Sequence, residues 1–158
     1  MLLVKGSRAQ AEALKEQIAL LLATELKLTL SRTKTLVTHV LDAVDSPAVR
    51  CDLDPVNWLW LETVYKSGAA IDRMVDVLGA DRILHAHAKD VVLETQLVTH
   101  IDERPAGQGL LDFTTFMRRM EGLGPERYLI VEHTSREEMP ATKTFLDRTA
   151  EELGIRVY

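Results

Sequence analysis

A chain of 158 residues is long enough for one ordinary domain with a real core, and 46% apolar with 27% charged residues excludes a disordered or fibrous protein. The formal net charge of -5, with no dense cluster of Lys and Arg, argues against a surface for nucleic acid or an anionic membrane and favours small or neutral partners. No apolar run is long enough to span a bilayer, no signal peptide is seen, and lone Cys51 cannot form an internal disulfide, so the expected compartment is the cytoplasm.

From Ser7 to Glu25 the apolar residues Ala11, Leu14, Ile18, Leu21 and Leu22 recur at steps of three and four, and Ser7 with Gln10 makes a capping box. The spacing predicts an amphipathic, core-facing helix. Leu26 to Leu30 alternates as a strand, and Thr35 to Val44 returns to helical spacing through Leu36, Val37, Val40, Leu41 and Val44. Ser46-Pro47 stops that helix, Ala48 to Leu53 reads as a strand, and Asp54-Pro55-Val56-Asn57 closes it with a turn bearing two polar side chains. Trp58-Leu59-Trp60-Leu61 reads as packing under a loop, with the cap of a pocket as the alternative. Ile71, Met74, Val75 and Leu78 mark a helix from Gly68 to Leu78 that ends at Gly79.

Ile83 to Val92 is predicted as one strand, with His85, His87 and Lys89 on one side and Leu84, Ala86, Ala88 and Asp90 on the other. Three nitrogen side chains on one strand face need water, an anion, carboxylates or a metal as partners. Within this stretch His85, lower in the strand, reads as a hydrogen-bonded core histidine, and Asp90 as an anchor for the following loop. Glu94 to Gly109 has no clean period and reads as a long loop, a kind of segment that is often functional. Asp112 caps a helix carrying Phe113, Phe116, Met117 and Met120 that ends near Gly122. Tyr128 to Val131 is a last strand leading into Glu132-His133, and a final helix runs from Pro140 to Leu153 through Phe145 and Leu146.

Strand and helix alternate throughout, as in repeated βα units around a parallel sheet, and four units are visible. The polar sets Asp54/Asn57, His87/Lys89 and Glu132/His133 fall at C-terminal ends of strands, where a (β/α)8 barrel keeps its chemistry. A full barrel has eight units in ~250 residues, so the chain supplies half of one. Asp54, His87 and Glu132 follow three successive predicted strands and can converge, and two carboxylates with an imidazole suit Mn, Mg, Co or Zn. Each of the three alone reads as well as a turn residue, a satisfied histidine or a solvated carboxylate, and spacing does not decide between the readings.

The phrases Leu53-Asp54-Pro55-Val56-Asn57, His85-Ala86-His87-Ala88-Lys89-Asp90, Gly107-Gln108-Gly109-Leu110-Leu111-Asp112-Phe113 and Ile130-Val131-Glu132-His133 occur in this order and spacing. Together they resemble the C-terminal half of the xylose-isomerase-like sugar phosphate isomerase/epimerase family, from Leu26 to Gly154. The resemblance implies an α/β fold that is a partial (half) TIM barrel, about four βα units matching strands five to eight. It would form a single domain over 1–158, N-terminally truncated and beginning inside what resembles the helix before strand five. It implies a divalent metal (Mn, Mg, Co or Zn) on Asp54, His87 and Glu132, with Glu132 also catalytic. Asn57, Lys89 and Arg104 would line the substrate side, with His100 and Glu103 near them. The implied substrate is a small sugar, polyol or sugar phosphate, isomerised between aldose and ketose or epimerised by proton transfer next to a carbonyl.

The sequence departs from the family at strand five, where Leu28-Thr29-Leu30-Ser31-Arg32 lacks the glutamate that serves as ligand and acid/base group. Half a barrel would also leave two open sheet edges, so the expectation is either a truncated gene product or a half barrel that covers them by pairing edge to edge as a homodimer. The alternative is a non-catalytic remnant that binds a metal or partner without turnover. A phosphodiester hydrolase on the related endonuclease barrel would need more His and Glu ligands and a basic surface.

Overall fold

The computed structural model describes residues 2–4, 9, 13, 36–95 and 97–157. In chain order the elements are β1 (Leu2–Val4), α1 (Leu36–Val44), β2 (Val49–Leu53), α2 (Ser67–Leu78), β3 (Ile83–Ala88), β4 (Asp90–Glu94), β5 (His100–Arg104), α3 (Phe113–Gly122), β6 (Leu129–Val131) and α4 (Met139–Leu153), with short 3₁₀ turns between β2 and β3. One sheet has the order β1-β2-β3-β6, in which β2, β3 and β6 are parallel and β1 runs antiparallel to β2. Parallel strands covered on both faces need nearly continuous apolar residues. Leu53, Ile83, Ala86 and Ala88 meet that need and are fully buried.

The helices close over this sheet with stripes at helical spacing: Ile71, Met74, Val75 and Leu78 from α2, and Phe113, Phe116, Met117 and Met120 from α3. Phe113 meets Phe116 and, on α4, Phe145 edge to face, the last pair with ring centroids 5.1 Å apart. Asp112 caps α3 by accepting from Thr115 N at 2.9 Å, and its own N–H donates to Ser67 Oγ at the start of α2. Among the described residues no helix is long and apolar enough to cross a membrane.

The predicted helices and strands from Thr35 onward appear within a residue or so of their expected ends, apart from two stretches. Lys89 interrupts the expected strand Ile83–Val92, so that Ala88 ends β3 and Asp90 begins β4 in a second sheet. The expected loop Glu94–Gly109 is largely a hairpin: β4 and β5 pair antiparallel with Leu93 opposite Ile101 and Asp90 opposite Arg104. Both Leu93 and Ile101 pack on the core, from the face of the hairpin that also carries Val91 and Glu103. Leu2–Val4, expected inside a helix, is instead a strand on the edge of β2 away from β3, the place the half-barrel reading gives to strand five. The predicted helix Ser7–Glu25 and strand Leu26–Leu30 lie outside the described residues, except that Ala9 and Ala13 are helical.

Asp90 explains why the chain turns sharply after Lys89. Its buried carboxylate accepts four backbone N–H groups, from Val91 and Leu111 on Oδ1 at 2.8 Å each and from Gly107 and Gly109 on Oδ2 at 3.0 and 2.9 Å. A Cβ on Gly109 would stand 2.3 Å from Val91 O, and one on Gly107 would stand 2.4 Å from the Phe145 ring. Glycine lets the loop wrap this closely around one carboxylate.

Candidate metal centre

Strand register brings the polar ends together. Asp52 lies level with His85 across β2 and β3, and Ala88 lies level with Val131 across β3 and β6. Asp54 and Glu132, just beyond the ends of β2 and β6, therefore flank His87 and Lys89 at the end of β3. One ligand atom from each of Asp54, His87 and Glu132 lies within 4.8 Å of the other two.

The turn after β2 fixes Asp54. Asn57 donates its side-chain Nδ2 to Asp54 Oδ2 at 2.7 Å and its backbone N–H to Oδ1 at 3.3 Å. Asn57, expected to line the substrate side, thus serves to aim a carboxylate. Lys89 is buried at the centre, its Nζ 2.9 Å from Asp54 Oδ2, 2.9 Å from Glu132 Oε2 and 2.6 Å from Glu103 Oε1. Burial alone would lower the Lys89 pKa, but bonding to Glu103, Asp54 and Glu132 outweighs it and holds the ammonium above the usual lysine range. Burial likewise pushes Glu132 up, and the Lys89 bond and charge, with smaller help from His87 and His133, bring it below the ordinary glutamate value.

His87 faces carboxylates on both sides of its ring. Nδ1 is 3.2 Å from Glu132 Oε2 and 3.5 Å from Asp54 Oδ2, while Nε2 is 3.0 Å from Asp52 Oδ2. His133, whose φ of 51° is in the left-handed region, reaches Glu103 Oε2 with Nε2 at 2.8 Å. Arg104 is held elsewhere: it pairs with Glu94 at 2.8 Å and donates to Glu103 O at 2.9 Å within the hairpin. His100 is exposed at the far end of β5, opposite Glu94. So the structure gathers Asp54, Asn57, His87, Lys89, Glu132 and Glu103, and does not bring Arg104 or His100 to them.

Sequence reasoning missed Asp52 and gave Glu103 no role of its own. Asp52 precedes Asp54 by two in the run Cys51-Asp52-Leu53-Asp54, so period two puts both on one face, and that signal was available. Glu103 could be placed only once its segment was known to be a strand folding back on β4.

The donor set fits a divalent cation. Three carboxylates, those of Asp54, Glu103 and Glu132, surround the Lys89 ammonium, and a fourth, Asp52, stands behind the His87 ring. Glu132 Oε2 is buried with no aligned hydrogen-bond donor, although Lys89 Nζ is 2.9 Å away. An ionised carboxylate only accepts, and an Nδ1 that is the bare nitrogen of a neutral imidazole is a third donor atom toward a cation held between Asp54 and Glu132. Oxygen and imidazole donors suit Mn, Mg, Co or Zn. A cavity of about 800 Å3 between α3, the edge of β6 and α4, lined by Met117, Arg127, Tyr128 and Leu146 among others, includes none of these ligands. Chemistry, not concavity, locates the centre.

Residues 13–153 match the sequence profile of a family described as xylose isomerase-like TIM barrel, a span that includes every residue of the cluster. No curated protein and no solved structure matches the chain significantly.

Proposed function

Because the chain belongs to the xylose isomerase-like TIM barrel family, we propose that it is a metal-dependent isomerase or epimerase for a small sugar, polyol or sugar phosphate. The observation carrying this reading is the convergence of Asp54, His87 and Glu132, within 4.8 Å, at the ends of three neighbouring parallel strands. On this reading β2, β3 and β6 are strands six to eight of a half barrel, and Asp54, His87 Nδ1 and Glu132 would hold Mn, Mg, Co or Zn.

When bound, such an ion supplies polarisation of the substrate's carbonyl and hydroxyl oxygens. Glu132, kept ionised by Lys89, takes the proton from the carbon beside the carbonyl, and the C–H electron pair becomes a C=C bond as the carbonyl oxygen takes up charge. In aldose–ketose isomerisation the proton returns to the former carbonyl carbon while the hydroxyl proton passes to the other oxygen. In epimerisation it returns to the same carbon from the opposite face. Lys89 pairs with Asp54 and keeps Glu132 ionised, and Asn57 holds Asp54 in place. A homodimer covering the free edge of β6 belongs to the same proposal.

A non-catalytic, ion-binding role is the second reading. It is favoured by the absence of a carboxylate from Leu28 to Arg32 and by Lys89, which already neutralises Asp54 and Glu132. Elemental analysis of the purified protein and of His87→Ala tests the centre, and C–H exchange in D2O, followed by NMR over aldoses, ketoses and their phosphates, tests turnover. Bound metal with exchange supports the enzyme, and bound metal without exchange supports the second reading. Equal metal content in the protein and the His87→Ala variant removes the centre as drawn.

A further inference from the structure

Asp52 is only 2% exposed, within β2, and its partners are two imidazoles. Oδ1 lies 2.9 Å from His85 Nδ1 and Oδ2 lies 3.0 Å from His87 Nε2. A buried carboxylate costs several kcal/mol unless its oxygens are met, so a free charge here demands a use. The geometry bonds one oxygen to an imidazole and sets the other against a second. His85 and His87 stand two apart on β3 with ring centroids 6.4 Å apart and planes 27° from parallel, so a single carboxylate on the neighbouring strand spans both. The His85 contact is an aligned hydrogen bond, whereas Oδ2 has no aligned donor, and His87 Nε2 at 3.0 Å is the group a small ring turn would align.

We infer that Asp52 is the positioning residue of the centre: by accepting from His87 Nε2 it fixes the imidazole so that Nδ1 is the nitrogen presented to Asp54 and Glu132. His85, bonded to the other oxygen, keeps the carboxylate from rotating away. Asp54 and Glu132 are acceptors that favour a proton on Nδ1, and Asp52 is the carboxylate among the described residues that favours one on Nε2 instead. A carboxylate behind a ligating histidine selects its tautomer and raises its basicity. The inference rests on the metal reading for its consequence, but the ring orientation is a property of the chain itself.

The test uses the full chain labelled with 15N at histidine, without metal and then titrated with Zn2+. Long-range 1H–15N spectra are expected to show His87 protonated at Nε2 in both states, with only the Nδ1 resonance moving when Zn2+ is added. Asp52→Ala should bind Zn2+ about 10- to 100-fold more weakly and lose the fixed Nε2 proton. Asp52→Asn, with one accepting oxygen for two imidazoles, should fall between the parent and Asp52→Ala in both Zn2+ affinity and the Nε2 proton signal. A His87 with Nε2 bare overturns the inference, as does Asp52→Ala that binds Zn2+ as tightly as the parent with its Nε2 proton unchanged. If the parent takes up no Zn2+ while the Nε2 proton is present and is lost in Asp52→Ala, the metal reading falls and the orienting role stands. Should Asp52→Ala not fold, the parent spectrum and the Asn variant decide.

Discussion

Replacing Lys89 by Met separates the two roles that one buried ammonium plays. The Met side chain fills much the same space without charge, so its effects come from electrostatics. In the metal-free protein the change leaves Asp54, Glu103 and Glu132 facing one another with no cation between. Removing one partner of a buried ion pair costs about 3–5 kcal/mol, but the Glu103 and Glu132 side chains keep 30% and 36% of their exposure and are partly screened. A loss of about 2–4 kcal/mol is therefore expected in EDTA. Divalent metal should reverse much of it, because the ion would restore positive charge and no ammonium would compete for Asp54 Oδ2 and Glu132 Oε2. Ligand at a hundred times its Kd stabilises a protein by about 2.7 kcal/mol, and at a given Mn2+ concentration the variant should gain at least ~1 kcal/mol more than the parent. Urea unfolding of both proteins, with EDTA and with Mn2+ and at constant m, reads each quantity. Equal stability in EDTA would show that the ammonium contributes nothing net. Equal gains from Mn2+ would show that ammonium and ion do not share oxygens, and the centre would have to be redrawn.

Two further outcomes follow from the same region. Asp90→Asn turns an NH2 toward two of the four backbone N–H groups that the carboxylate accepts, and should cost about 3–5 kcal/mol in urea unfolding; a loss under ~1 kcal/mol would mean the loop does not depend on that anchor. Stability against pH should also carry the mark of Glu132. Its folded pKa lies below the ordinary value of 4.5, so its contribution is complete above that value and is lost as pH falls through the depressed folded value. The raised Lys89 pKa contributes fully at all pH below the ordinary 10.5 and is lost only as pH rises through the folded value. The metal-free protein should therefore hold its stability through neutrality and show an acid limb that shrinks in Lys89→Met. An unchanged acid limb in that variant would refute the assignment of the shift to Lys89.

The main elements from Leu36 onward were legible because each has a period that a single environment imposes. Helix α2 shows Ile71, Met74, Val75 and Leu78 at helical steps because one face meets the sheet, and Asp112 announces α3 by its cap. The hairpin was not legible for a physical reason. β5 reads His100-Ile101-Asp102-Glu103-Arg104, with one apolar residue turned inward, and its strand identity comes from pairing with β4 rather than from its own composition. The break at Lys89 was hidden in the same way. Its cause is Asp90, whose four N–H partners lie one, seventeen, nineteen and twenty-one residues downstream.

The centre was legible to the extent that strand ends are. Asp54, His87 and Glu132 each follow or finish an apolar run, and a parallel register converts that position into proximity without further information. What a register cannot convey is which nitrogen of an imidazole faces its neighbours, or what an ammonium pairs with. The family resemblance implied a substrate contact for Lys89, and its place on the strand left carboxylates as open a partner as an anion, yet Glu103 arrives from the hairpin to complete its shell. That arrival changes the electrostatics more than the geometry. With Glu103 and Asp52 included, four carboxylates stand at these strand ends against one ammonium and the imidazoles of His85, His87 and His133. A sequence pattern of three ligands leaves open whether a metal is wanted. The two carboxylates that the pattern did not place sharpen the question, and Lys89→Met, read with and without Mn2+, answers it.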